Sequence, residues 1–249
     1  MKIAVCLSHV PDTTTRIRFV DNNTQLDTNG VQWIINPWDE LALTRALEIK
    51  EASAGRVEKV TVVHVGRTEA DPTLRKAMAI GADSAIRVDA DPADAFSVAS
   101  QLAAAFRQYP FDLIFCGIES SDYNNSAVGG MLAELLSVTS VSAVSGIEPA
   151  GEGWLLCRDI DGGVEKIYAE SPMVAIVQKG IAREPRIPSM RGIMMAKQKP
   201  LQVVPAVEVN PLTESLGFET PAPKPPCRKL DPDQVKELAE LLHKEAKVI

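Results

Sequence analysis

Residues 1–139 alternate short apolar runs with amphipathic stretches. The apolar runs have the length of buried strands and lie at Ile3–Leu7, Val60–Val65, Ala85–Val88 and Leu113–Cys116. Helical patterns follow them over Glu40–Ala52, Pro72–Ile80 and Ala93–Arg107. Strands that are apolar throughout and separated by helices are typical of a parallel sheet covered on both faces. The pattern therefore predicts an α/β fold that binds ligands beyond the carboxyl ends of its strands.

After Thr139 the pattern changes to three runs separated by glycine-containing turns. The runs lie at Ser140–Glu148, Trp154–Ile160 and Val164–Tyr168, and Met173–Gln178 adds another apolar strand. Turn sequences of the Ala-Gly-Glu-Gly and Asp-Gly-Gly kind connect antiparallel strands. We therefore expect an antiparallel meander over residues 139–178, joined to the edge of the parallel sheet.

The last quarter of the chain is rich in proline. An extended segment over Arg183–Pro188 and a short helical turn over Ile193–Lys197 precede it. From Lys199 to Arg228 prolines recur with little periodicity, and the sequence PAPKPP at 221–226 is too stiff and donor-poor for a sheet. We predict a nucleotide-binding domain over residues 1–200 and an arm over residues 201–249. The arm ends in a helix with one apolar face formed by Val235, Leu238, Leu241 and Leu242.

The segment from Gly117 to Val128 is the strongest candidate for binding chemistry. It follows a buried strand, is rich in Ser, Asp and Asn, and runs into a helix whose N-terminus offers free N–H groups to an anion. The same residue types also serve as plain caps and turn formers. Two other strand ends, Cys6-Leu7-Ser8 and Val65-Gly66-Arg67, are expected to border the ligand. Neither a GxGxxG motif nor a P-loop motif follows any of these three strands.

Composition excludes several classes of function. A net charge of −7 leaves no basic face for nucleic acid, and no apolar run approaches membrane-spanning length. The four cysteines are scattered without CxxC spacing, and the three histidines lie far apart, so we expect neither a metal site nor a disulfide framework. The N-terminus lacks the regions of a signal peptide, and a reducing cytoplasm is expected. We interpret His64, within an apolar strand, as a core residue.

Several separated motifs, in a fixed order, resemble those of the electron transfer flavoprotein beta-subunit family over nearly the whole chain. They are VPD at 10–12, GV at 30–31, INPWDELAL at 35–43, RKAMAIGAD at 75–83, DLIFCG at 112–117, DGG at 161–163 and EPRIPSMRGIMMAKQKP at 184–200. The resemblance implies a parallel doubly wound sheet, Rossmann-like and of the adenine nucleotide alpha hydrolase-like type. A small antiparallel meander and an extended C-terminal arm complete the implied fold.

The resemblance also implies an electron carrier subunit without catalytic residues of its own. Such a chain pairs with an alpha subunit and carries electrons from flavin dehydrogenases, such as acyl-CoA dehydrogenase, to a membrane-bound quinone oxidoreductase or similar acceptor. The redox-active FAD is shared with the alpha subunit, and the beta subunit holds AMP. In the bifurcating branch of the family a second FAD replaces AMP. Both nucleotides begin with the same adenosine phosphate, so the motif leaves both open; AMP is favoured because nothing in the chain signals bifurcation.

The cofactor-binding residues implied by the resemblance come from four segments. They are Cys6, Asn36, Pro37, Trp38, Asp39, Val65, Gly117, Ile118, Glu119, Ser120, Ser121, Asp122, Tyr123, Asn124, Asn125, Ser126, Ala127 and Val128. Asn36 is expected to cap a helix and to offer its amide to the nucleotide, and Asp39 to accept from a sugar hydroxyl. Trp38 corresponds to an aromatic near the flavin. Many relatives carry Gln-Ala-Ile-Asp where this chain has Glu119-Ser120-Ser121-Asp122, and a Gln where it has Ala127.

Met190 matches the residue that anchors the family's recognition loop in a partner dehydrogenase. Arg186, Arg191 and Lys197 surround it and predict a positive rim that steers an acidic partner. The structural alternative is that Met190 simply fills a gap in a buried loop. Two other function classes remain as alternatives. A stand-alone nucleotide sensor would explain only the first half of the chain, and an adenylating enzyme would need a motif such as SGGxDS, which is not present.

Overall fold

The computed structural model describes residues 1–224 and 226–249. The strands are β1 Lys2–Cys6, β2 His9–Pro11, β3 Phe19–Val20, β4 Gln25–Leu26, β5 Trp33–Ile35, β6 Lys59–Val65, β7 Ser84–Asp89, β8 Leu113–Gly117, β9 Thr139–Ala150, β10 Gly153–Ile160, β11 Gly163–Glu170, β12 Met173–Val177 and β13 Leu201–Pro205. The α-helices are α1 Pro37–Ala52, α2 Asp71–Ile80, α3 Ala95–Gln108, α4 Val128–Leu136, α5 Met190–Ala196 and α6 Val235–Leu241.

One large sheet organises the molecule, with strand order β11-β10-β9-β12-β8-β1-β6-β7-β13. In this spatial order, each strand from β9 through β12, β8, β1, β6 and β7 to β13 is parallel to the next. The strand β10 is antiparallel to both of its neighbours, β9 and β11. The chain passes from β1 to β6 and β7 on one side, and then returns to place β8 on the other side of β1. Strand order therefore reverses between β1 and β8, the position at which such sheets bind ligands.

Helices cover both faces of the sheet, as the uniformly apolar strands predict. Side chains of α1 and α2, such as Leu43 and Leu74, pack on one face, and those of α3 and α4, such as Phe106 and Leu132, pack on the other. Each of these four is no more than 3% exposed, and burying such a side chain stabilises the fold by about 1.5–3 kcal/mol. The α/β class and the doubly wound parallel sheet are thus confirmed.

The four strands predicted for residues 1–139 are β1, β6, β7 and β8, and they agree with their predicted bounds to within one residue at either end. The expectation for the segment after Lys199 was wrong at its start, because Leu201–Pro205 forms β13 and pairs in parallel with β7. An edge strand has hydrogen bonds on one side only, so it tolerates the flanking prolines that disguise it in the sequence. The arm therefore begins after Pro205.

The arm and its terminal helix lie largely outside the core. No residue in the described segment 226–249 is buried, and Val235 and Leu238 on α6 are 66% and 45% exposed. A short π-helical turn over Leu242–Ala246 extends α6. Among the described residues, none packs closely enough on this end of the apolar face to bury Val235 or Leu238. Within the described residues, no helix combines the length and the apolar character needed to cross a membrane.

Candidate functional site

A cavity of about 400 Å³ lies at the carboxyl ends of β1, β6 and β8, where strand order reverses. This volume is at the lower end of the range typical of small-molecule sites. The predicted site residues that line it are Cys6, Asp39, Val65, Gly117, Ile118, Glu119, Ser120, Asp122, Tyr123, Asn125, Ser126, Ala127 and Val128. Five other predicted residues, Asn36, Pro37, Trp38, Ser121 and Asn124, lie behind or beside the cavity wall and are not among its lining residues.

Asp39 ties together the two strand ends that form the floor of the cavity. It lies in the first turn of α1 and is 3% exposed. The N–H of Ser8 donates to Oδ2 at 2.7 Å, and the N–H of Gly117 donates to Oδ1 at 3.0 Å. Burial raises the pKa of Asp39 to about 7, although these hydrogen bonds act in the opposite direction. The carboxylate therefore organises backbone from β1 and β8, in addition to facing the cavity.

Asn36 holds the binding loop from behind. It is the residue before α1, but its side chain makes no capping hydrogen bond, so that part of the expectation was wrong. Instead Nδ2 donates to the carbonyl of Glu119 at 2.8 Å, and Oδ1 accepts from the N–H of Ser121 at 3.2 Å. Both ends of the amide are engaged by the loop, and Asn36 is 1% exposed. Pro37 occupies the first turn of α1, where a missing N–H costs nothing.

Gly117 leaves no room for a side chain at the end of β8. A Cβ atom there would overlap Oδ1 of Asp39 and lie 2.8 Å from Cβ of Trp38. We expect Gly117→Ala to lower the free energy of unfolding by about 1–3 kcal/mol, because neighbours in a packed site must shift. The matched control is Gly130→Ala in α4, where no atom lies within 4 Å of the added Cβ and alanine favours the helix. The urea midpoint of unfolding is measured for the wild type and both variants. An equal fall of the midpoint in Gly117→Ala and Gly130→Ala would contradict this role of Gly117.

The loop between β8 and α4 has a backbone that changes handedness near its end. Asn124 and Ser126 have left-handed φ angles of 52° and 49°, and Ala127 returns to a right-handed conformation. Successive residues of opposite handedness form concave sites for anions. No side chain caps the N-terminus of α4, so its first N–H groups and its positive dipole end also remain available there.

Two thiols lie on the apolar side of the cavity, at the ends of neighbouring strands. Cys6 and Cys116 are both buried and line the cavity. A hydrogen bond with Cys116, together with burial, raises the pKa of the Cys6 thiol well above its usual value. The Cys6 thiol therefore stays protonated, and the two small side chains form an apolar part of the cavity wall.

Several residues that line the cavity were not predicted as site residues from the sequence. His64 is buried as expected, and its Nδ1 donates to the carbonyl of Leu7 at 2.7 Å, but its ring also borders the cavity. Burial lowers the pKa of His64 to about 4, so it is neutral at physiological pH. His9 stacks on Trp33 with ring centroids 4.5 Å apart and lines the cavity beside it. His64 is a polar residue near the carboxyl end of an apolar strand, and this position could have indicated that it borders the cavity.

Two further walls come from segments that the three selected strand ends did not include. One is the loop after β7, from Pro92 to Asp94, and the other is the arm at Thr213–Ser215. The first wall follows the carboxyl end of the predicted strand Ala85–Val88, so the rule that ligands bind beyond strand ends also applies to it. The arm contribution has no local sequence signal, because it depends on where the chain returns after β13.

The predicted recognition segment lies against α2 and exposes several apolar side chains. Met190 is 77% exposed, which excludes the buried alternative, and Ile187 and Met194 beside it are 89% and 70% exposed. Ser189 caps α5 by accepting from the N–H of Gly192 at 3.0 Å. These three exposed apolar residues, Ile187, Met190 and Met194, are called the apolar patch below. Such a group on a capped helix has the character of a protein contact site.

The positive rim around the apolar patch is weaker than the sequence predicts. Arg186 donates from Nη1 and Nη2 to the two carboxylate oxygens of Glu51, each at 2.6 Å. The hydrogen bond from Arg186 lowers the pKa of Glu51, so this pair is ionised and locally neutral. Arg191 and Lys197 are exposed and keep the predicted positive character. Arg186 thus anchors the recognition segment to α1, whereas Arg191 remains exposed.

Comparison with known proteins agrees with this architecture. Residues 23–209 match the family model described as "Electron transfer flavoprotein domain". The chain is 35% identical to the electron transfer flavoprotein subunit beta of Bacillus subtilis, over all of both chains. It is 32% identical to the acryloyl-CoA reductase electron transfer subunit gamma of Anaerotignum propionicum, covering 86% of this chain and 82% of the relative. The human electron transfer flavoprotein subunit beta is 30% identical over 82% of this chain and 81% of its own length. These matches show that the chain belongs to the electron transfer flavoprotein beta-subunit family.

Proposed function

We propose that this chain is the beta subunit of a heterodimeric electron carrier in the cytoplasm and that it binds AMP as a structural nucleotide. Electrons pass from flavin dehydrogenases, such as an acyl-CoA dehydrogenase, to a quinone oxidoreductase or a similar acceptor. The electron-carrying FAD is shared with an alpha subunit. This chain holds the nucleotide, shapes one side of the flavin site through the region of Trp38, and presents the apolar patch to the donor.

The cavity at the reversal of strand order is the observation that carries the nucleotide assignment. The loop from Gly117 to Val128 offers backbone N–H groups and an uncapped helix end to a phosphate. The end of β6 lies two strands away, about 10 Å across the sheet at the usual strand spacing. The phosphate at α4 and the base at Val65 would therefore lie at opposite ends of one mononucleotide.

The size of the cavity favours AMP over a second FAD. The described residues of this chain line a partly open cavity of about 400 Å³. A flavin attached to the same adenosine phosphate would need additional space outside that volume. The bifurcating alternative therefore requires the alpha subunit to provide a second chamber.

The exposed terminal helix supports the need for a second subunit. Val235 and Leu238 are exposed on α6, and Val248 and Ile249 at the chain end are 67% and 68% exposed. An apolar face of this kind is stabilised by burial against another chain. A stand-alone sensor of the same layered fold gives no reason for such an arm.

The test is to purify the chain with its alpha subunit, denature the complex, and quantify the released FAD and AMP by chromatography. We expect one FAD and one AMP per heterodimer. Two FADs without AMP would replace this proposal with the bifurcating alternative. A monomeric chain that releases neither flavin nor AMP would overturn the proposed function.

A further inference from the structure

The arm crosses the mouth of the nucleotide cavity before it reaches the exposed tail. Its first attachment is to Gln101 on α3, whose side chain is 6% exposed. Nε2 of Gln101 donates to the carbonyl of Val207 at 2.7 Å, and Oε1 accepts from the N–H of Val207 at 2.9 Å. This reciprocal pair fixes the direction in which the arm leaves β13.

Asp94 provides the second attachment, directly at the cavity. Its Oδ1 accepts from the N–H of Ser97 at 2.7 Å and thereby caps α3. Its Oδ2 accepts from the N–H groups of Leu212 and Thr213, at 2.7 Å and 3.0 Å. Burial acts to raise the pKa of Asp94, but these hydrogen bonds outweigh it and lower the pKa to about 2. The carboxylate is therefore ionised under all physiological conditions, and one side chain joins the start of α3 to the arm.

The third attachment lies beyond the cavity. The ring of Phe218 stacks on Phe19 with centroids 4.9 Å apart, and the N–H of Phe218 donates to the carbonyl of Asn23 at 2.8 Å. Between the second and third attachments, Thr213, Glu214 and Ser215 line the cavity. Leu212 and Leu216 on either side are 68% and 83% exposed. The segment thus spans the opening with both of its ends held.

We infer that residues 212–215, called the strap below, form a binding element of the nucleotide pocket that must open before the nucleotide can leave. The inference rests on the proposed function for the identity of the ligand as an adenine mononucleotide. The strap contributes the hydroxyl of Ser215 and the carboxylate of Glu214, groups suited to ribose hydroxyls and their water shell, whereas the hydroxyl of Thr213 donates to Oδ2 of Asp94 at 3.3 Å. Asp94 acts as a positioning residue, since it works through the backbone of the strap.

A variant that separates the two roles of Asp94 tests this inference. In Asp94→Ser the serine still caps α3, but its single oxygen cannot also reach the strap. Gln101→Ala removes the first attachment without touching the cavity. The matched control is Asp91→Ser in the same loop, where the carboxylate pairs with Arg67 at 2.7 Å.

The experiment loads the complex of this chain and its alpha subunit with radiolabelled AMP and follows the release of label after adding excess unlabelled AMP. We expect release about tenfold faster from Asp94→Ser and from Gln101→Ala than from the wild type, equivalent to about 1.4 kcal/mol. The thermal midpoint of the complex is measured in parallel, so that faster release with an unchanged midpoint is assigned to the strap.

Equal release rates in wild type and both strap variants would overturn the strap while leaving the nucleotide assignment intact. A wild-type complex that takes up no AMP would overturn the AMP assignment and the strap together. Faster release from Asp91→Ser of the same size as from Asp94→Ser would also overturn the inference, because the effect would then belong to the loop as a whole.

Discussion

Replacing Asp39 by asparagine is expected to lower the free energy of unfolding by about 2–4 kcal/mol. Asparagine has nearly the same shape as aspartate. Its NH₂ group, however, is a hydrogen-bond donor, and it would face a backbone N–H to which a carboxylate oxygen acts as the acceptor in the wild type. The N–H of either Ser8 or Gly117 is then buried without a partner, as is the new amide, and each such group costs about 1–3 kcal/mol. Urea unfolding of both proteins measures the difference.

The same pair of proteins tests the ionisation of Asp39. Because burial raises its folded pKa to about 7, above the unfolded value of 3.8, the protonated form favours folding. This contribution is complete below pH 4 and is lost as the pH rises through 7. The asparagine variant lacks it, and all other titrating groups are shared, so the stability difference is expected to be larger at pH 5 than at pH 8.

Asp122→Asn is the control for the loss of charge at the site. Asp122 lines the same cavity but is exposed, and its Oδ1 accepts only from the N–H of Tyr123 at 3.0 Å. We expect its stability to change by no more than about 0.5 kcal/mol. If the two asparagine variants were equally stable, the backbone N–H bonds of Asp39 would not be what supports the floor of the cavity.

Removal of the anchor from the apolar patch is expected to slow electron delivery about ten- to thirtyfold. In Met190→Ala an exposed thioether that fits irregular pockets is lost, and anchor residues of this kind contribute about 2 kcal/mol to a protein contact. The rate constant for flavin reduction by the donor dehydrogenase, measured under second-order conditions, should fall. The flavin content of the complex should not change.

Met131→Ala, on the exposed side of α4, is the matched control because it removes a methionine that is 37% exposed and far from the recognition segment. We expect a normal rate from this variant. A normal rate from Met190→Ala as well would exclude the docking role. A loss of flavin from Met190→Ala would indicate that the residue supports the heterodimer and not the donor contact.

The sequence was sufficient for the framework of the fold because buried parallel strands have a strong local pattern. The run Leu113–Cys116 is wholly apolar and Val60–Val65 is apolar except for Thr61 and His64, a pattern typical of strands covered on both faces. The sequence did not predict β13, because this edge strand of five residues follows Pro200, ends in Pro205 and lacks a continuous apolar pattern. The position of the loop from Gly117 to Val128 beside the cavity was predictable because its residues are continuous in the sequence and follow a buried strand.

The internal connections of the site were not predictable in the same way. The contacts of Asp39 and Asn36 join residues 31 to 85 positions apart, and their partners are backbone groups that every residue possesses. Nothing in the identity of Ser8 or Ser121 marks them as partners. The contribution of the strap depends likewise on a return of the chain across more than 100 residues.

The recognition segment is attached where the helices end. Arg186 is held by Glu51 in the last turn of α1, and Gly192 lies so close to the carbonyl of Ala79, near the end of α2, that a side chain there would overlap it. The cavity lies at the opposite edge of the sheet, where α1 and α4 begin. Under the proposed function, a change of donor dehydrogenase would therefore alter one rim of the molecule while the nucleotide at the other rim would keep its surroundings, so that donor choice and cofactor retention would evolve separately.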